Sequence, residues 1–99
     1  MYELQHLKGV EKFFKKIKEK ELKVLFRTTL EKLSHDPYMG GLKTGDLSGI
    51  YGYDVYYNKT NYEIAYRVYE EAGKIVVVIL AGTRENFYDE LKRYMKLVE

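Results

Sequence analysis

Lys74-Ile75-Val76-Val77-Val78-Ile79-Leu80-Ala81 decides the fold, because from Ile75 to Leu80 the run is apolar at odd and even positions alike. A strand with one wet face alternates polar and apolar residues. This one does not, and its β-branched content predicts an interior strand covered on both faces. Working back along the chain, Tyr62 to Tyr69 and Tyr53 to Tyr57 are two more strand-like runs. They are joined by Asn58-Lys59-Thr60-Asn61 and followed by the turn Glu70 to Gly73, both hairpin-length connections. Working forward, Phe87, Leu91, Tyr94, Met95 and Val98 recur at helical spacing, and Thr83 is placed to cap that helix.

The first third has different periods. Tyr2, Leu4 and His6 alternate with Glu3 and Gln5, which predicts a short strand with His6 packed inward. Val10, Phe13, Phe14 and Ile17 then form the i, i+3, i+4, i+7 stripe of an amphipathic helix. Leu22, Leu25, Phe26, Leu30 and Leu33 form a second, which Pro37 stops. Only a tight turn fits between them, so they make a helical hairpin. The segment 38–52 holds five glycines and reads as a loop with a short edge strand around Leu47. The expected class is α+β: an N-terminal strand, a helical hairpin, an antiparallel β-meander and a C-terminal helix.

Ninety-nine residues support one hydrophobic core, so a single domain over 1–99 is expected. With 45% hydrophobic and 32% charged residues the chain is too apolar for disorder and too polar for a membrane protein. The start lacks the basic and apolar regions of a secretion signal, so a cytoplasmic protein is expected. There is no cysteine, and His6 and His35 are isolated, so no disulfide, thiolate chemistry or metal site is expected. Without a Walker loop or dinucleotide fingerprint, no cofactor is expected either. The net charge of +2 does not by itself indicate nucleic acid, but Lys8, Lys12, Lys15, Lys16, Lys18, Lys20 and Lys23 crowd one segment. They form either a solvated helix face or a grip on RNA.

Strand parity sorts the remaining candidates. Tyr62, Ile64, Tyr66 and Val68 make the apolar face that the hairpin would cover. Asp54, Tyr56, Glu63, Arg67 and Tyr69 would then line an open surface. Such a mixture suits RNA, with arginine on phosphate, tyrosine on bases and a carboxylate to move a proton; cross-strand ion pairing on a wet sheet suits it equally. A second cluster, Gly82-Thr83-Arg84-Glu85-Asn86-Phe87-Tyr88, lies where the interior strand gives way to the last helix, on which Tyr88 and Lys92 share a face.

These elements, together with Leu42-Lys43, Leu47-Ser48-Gly49, Gly52-Tyr53-Asp54-Val55-Tyr56, Asn61 to Val68 and Val76 to Tyr88, resemble over nearly the whole chain the RelE/ParE toxins of bacterial type II toxin–antitoxin modules. In the RelE branch the resemblance implies a metal-independent, ribosome-dependent endoribonuclease that cleaves messenger RNA and inhibits translation. The 2′-hydroxyl of the substrate attacks the adjacent phosphate. By position, Arg84 is similar to the family's late arginine, which stabilises the phosphorane, and Tyr88 to its terminal tyrosine. Asp54, Tyr56 and Glu63 stand where many RelE-like members carry lysine or arginine. Either Glu63 serves as general base with Arg67 as its partner, or catalysis is weak or absent. Lys12, Lys15, Lys16, Lys43, Tyr56 and Lys92 are the RNA-binding candidates. The implied partners are an antitoxin whose helix or extended tail covers the sheet face and can displace the last helix, the ribosome and mRNA. A ParE-like DNA gyrase inhibitor and a non-catalytic antitoxin-binding relative are the other two readings.

Overall fold

A computed structural model describes residues 1–71 and 73–98, with side chains described through Lys96. In chain order the elements are β1 (Glu3–His6), α1 (Lys8–Lys16), α2 (Lys20–His35), β2 (Gly41–Leu42), β3 (Tyr51–Tyr57), β4 (Thr60–Tyr69), β5 (Ile75–Thr83) and α3 (Phe87–Val98). The sheet order is β1-β5-β4-β3-β2, with β2 to β5 antiparallel and β1 added to β5 in parallel. The apolar run at Ile75 therefore sits between two neighbours, and two helical layers cover it as its lack of alternation requires. No helix among the described residues is long and apolar enough to cross a membrane.

The core has two parts. On one face, Val10 and Ile17 of α1 and Leu22, Phe26 and Leu33 of α2 pack against Val55, Ile64, Tyr66, Val76 and Val78. Phe26 is the hub of this layer: it meets Phe13 at 5.7 Å and Tyr62 at 5.6 Å, both edge to face. On the other face Phe87, Leu91 and Met95 of α3 pack on Ala65 and Ile79, with Leu47 and Ile50 closing the side. A bulge makes this second layer possible. Ala65 pairs with Leu80 but Tyr66 pairs with Val78, so Ile79 is an extra residue on β5. Ile79 and Leu80 thus both serve α3, while Val78 and Ala81, three apart, both face the hairpin.

Four expectations need correction. The short edge strand is Gly41–Leu42, whereas Gly45–Leu47 forms a 3-10 turn that drops Leu47 into the second core. Thr83 does not cap α3. It ends β5, and the ladder runs one step beyond it, with the Arg84 N–H donating to the Asn61 carbonyl at 2.8 Å. His6 is exposed: it ends the edge strand β1, with its ring 6.4 Å from Phe14 of α1 but outside the packed core. The hairpin between β3 and β4 turns on two residues, Asn58 and Lys59, with φ of 47° and 63°. Two positive φ values make the I′ geometry that matches strand twist, but lysine adopts it at a cost. We expect Lys59→Gly to raise stability by about 0.5–1 kcal/mol, read as a higher midpoint of urea unfolding.

Tyr66 fastens the loop that precedes β2. Its phenol is fully buried and donates to the Pro37 carbonyl at 2.7 Å. Burial pushes its pKa up to about 12. The folded chain holds this proton more tightly than the unfolded chain, so the contribution is whole below the ordinary tyrosine pKa near 10 and is lost as pH rises through about 12. Tyr66→Phe strands the Pro37 carbonyl. It should cost roughly 1–2 kcal/mol at neutral pH and leave a shallower decline of stability in the alkaline range, measured by denaturant unfolding at several pH values.

Candidate active site

Asp54 of β3 and Glu63 of β4 are direct cross-strand partners, so their carboxylates share the face turned away from the hairpin. Like charges so placed repel, and two cations converge on them. Lys43, in the loop after β2, sets its Nζ 2.8 Å from Glu63 Oε2. Arg84, just past β5, donates from one terminal nitrogen to Asp54 Oδ2 at 3.1 Å and holds its Nε 3.7 Å from Glu63 Oε1. These groups line an open groove of about 530 Å³ between the β2 segment and the ends of β3, β4 and β5.

The two ion pairs differ in environment. The side chains of Arg84 and Asp54 are 55% and 57% exposed, so their pairing contributes little to stability and leaves the guanidinium reachable. The side chains of Lys43 and Glu63 are 17% and 6% exposed, a pair held largely out of water. Gly52 makes that packing possible. A Cβ there would stand 2.4 Å from Glu63 Oε2 and 3.1 Å from Lys43 Nζ, so only a residue without a side chain lets the two charges close over β3.

The start of α3 adds an aromatic. Tyr88 is about half exposed, with Lys43 Nζ 5.7 Å and Lys92 Nζ 4.8 Å from its ring centroid. Lys92 also reaches Asp46, at 3.7 Å. A chain of short contacts thus runs from Asp54 through Arg84, Glu63 and Lys43 to Tyr88 and Lys92. One arm of the Arg84 fork is taken by Asp54. Its second terminal nitrogen has no protein partner among the described residues and can donate to a bound anion.

The structure brings Glu63, Arg84, Tyr88, Lys43 and Lys92 into one place. It leaves Arg67 out. Arg67 shares the strand face with Glu63 but pairs with Val77 farther along the sheet, and between them lies Ala65 under the α3 layer. Glu63 takes Lys43 and Arg84 as its ion partners instead, and at 5% exposure it is buried rather than part of an open surface. Tyr56 is 64% exposed, two residues from Asp54 on the same face. Lys12, Lys15 and Lys16 lie on α1, across the sheet from the groove, although Lys16 shares a depression with Thr83, next to Arg84. The pairing of Lys43 with Glu63 escaped the sequence reading, because the partners are twenty residues apart and meet only through the β2–β3 return. The one local signal was Gly52, a small residue inside a strand pattern.

The chain thus presents a short sheet with a helical hairpin on one face, a helix on the other and a cation-bearing groove at the strand ends. Residues 4–92 match the family of ParE-like toxins of type II bacterial toxin–antitoxin systems, and the chain belongs to that family. Among solved structures it is similar to a doubly substituted E. coli RelE toxin in the free state, with a TM-score of 0.76 at 18% identity over 99% of this chain and 98% of that one. It is also similar to a chain of the intact E. coli RelBE toxin–antitoxin complex, with a TM-score of 0.67 at 20% identity over 83% of this chain and 95% of that one. A RelBE complex from Mycobacterium tuberculosis gives 0.65 at 20% identity over 84% and 98%. No curated protein matches the sequence. At these identities the likeness to solved structures is one of fold, and with the family match it makes the chain a type II toxin of the RelE/ParE superfamily.

Proposed function

We propose that this toxin is a metal-independent endoribonuclease that cleaves messenger RNA on the ribosome and so inhibits translation. The observation that carries the reading is the half-exposed guanidinium of Arg84 at the groove, with one arm fixed by Asp54 and the other open, in the same cluster as Tyr88. A fixed, open donor is what a phosphorane needs: it is oriented before reaction and donates where negative charge grows. In the proposed step the 2′-hydroxyl passes its proton to solvent water and bonds to the adjacent phosphorus, and the bond from phosphorus to the 5′-oxygen breaks. That oxygen takes a proton from water as it leaves, next to a 2′,3′-cyclic phosphate. Tyr88 stacks on or hydrogen-bonds the substrate beside the break, while Tyr56 and Lys92 extend the contact surface. Lys16 and the other α1 lysines would meet ribosomal RNA.

The neighbouring toxin–antitoxin complexes support a cognate antitoxin as partner, and a cytoplasmic site of action and a single domain over 1–99 follow from the same reading. Purified toxin mixed with ribosomes carrying a defined message in register tests the activity. Cleavage inside a translated codon, absent without ribosomes, is the expected result. An intact message at equimolar toxin would contradict the proposal and favour a toxin acting on another target.

A further inference from the structure

We infer that Lys43 is a second catalytic cation of this groove, and that Glu63 is its positioning residue rather than a base that meets the substrate. The inference rests on the ribonuclease reading above and assigns the group that works beside Arg84.

The geometry excludes Glu63 from direct contact more than it recommends it. Its side chain is 6% exposed, one oxygen lies 2.8 Å from Lys43 Nζ, and the other faces Arg84 Nε at 3.7 Å. A carboxylate with a cation facing each oxygen and little exposed surface leaves no room for a substrate to touch it, but it is a good anchor for two cations. Lys43 is the reverse case. It lines the groove, and its ammonium carries three donors, of which Glu63 uses one. Its side chain is 17% exposed, and it lines the same groove as Arg84. The backbone is fixed as well, with the Lys43 N–H donating to the Ile50 carbonyl at 2.8 Å. A β4 carboxylate and a lysine from the neighbouring loop thus place positive charge in the groove, although the strand position itself is acidic.

Lys43 then donates to a non-bridging oxygen of the phosphorane, and Glu63 holds both Lys43 and Arg84 at a common distance from it. Charge stabilisation is the whole role; no proton leaves Lys43.

A purely structural ion pair would give the opposite result in a double variant, and that decides the matter. Lys43→Met alone leaves Glu63 buried without its closest cation, so it loses stability as well as activity. Lys43→Met/Glu63→Gln removes both charges and restores a neutral, packed pair, with unfolding close to wild type. On ribosomes with a defined message, the inference predicts that this folded double variant cleaves roughly a hundredfold more slowly than wild type, the loss falling in kcat rather than KM. Cleavage by the double variant within a factor of three of wild type would overturn the inference and leave the ribonuclease reading standing. No cleavage by wild type itself would overturn both.

Discussion

Replacement of Arg84 by alanine is expected to slow cleavage of ribosome-bound message by two to three orders of magnitude, the loss typical of removing a single preorganised donor, while leaving the protein folded. Both halves follow from the same ion pair. The Arg84 side chain is 55% exposed and its partner Asp54 57%, so the pair contributes no more than about 1 kcal/mol to stability. Glu63 keeps Lys43 when Arg84 is gone, so no buried carboxylate is stranded. What disappears is the donor at the groove. Single-turnover cleavage and thermal unfolding, run on the same preparations, check the two halves separately. A folded Arg84→Ala protein with undiminished cleavage would remove Arg84 from the site.

The second large effect belongs to Gly52. A Cβ at this position would lie 2.4 Å from Glu63 Oε2 and 3.1 Å from Lys43 Cε, so Gly52→Ala cannot be accommodated without separating the pair. Relief by moving Lys43 outward leaves Glu63 short of its cation; relief by moving Glu63 disturbs Arg84. Overpacking of this kind costs about 1–3 kcal/mol, and cleavage should fall at least tenfold because both cations lose their common anchor. Denaturant unfolding and cleavage rates measure the two losses. Gly41→Ala is the matched control, since its Cβ would meet only the Gly52 carbonyl, at 3.9 Å.

Much of the fold is legible in the sequence for plain physical reasons. The unbroken apolar run at Ile75 requires cover on both faces, and the stripes of α1 and α2 are wide enough to supply one of the layers. The bulge at Ile79 is not legible. Every residue around it is apolar, so no alternation marks where the register slips. Parity correctly put Asp54 and Glu63 on one face, since that needs only the strand period. It could not give their exposure, which depends on Lys43 folding back across Gly52 from a glycine-rich loop with no period. Pairing Glu63 with Arg67 failed for a related reason. Parity places residues four apart on one face but does not say that a helix will lie between them, as α3 does over Ala65. Arg84 and Tyr88 became candidates because they flank a strand-to-helix junction and because their positions resemble those of the family's late arginine and terminal tyrosine; the structure sets both beside the Lys43–Glu63 pair.

The most direct test of the central claim is to express the toxin from a tightly repressed promoter in a bacterial host and map messenger 5′ ends within minutes, beside Arg84→Ala. New ends inside translated codons, present with wild type and absent with Arg84→Ala, are the predicted result. Growth arrest with intact messages would contradict the account and point to a target other than translated RNA.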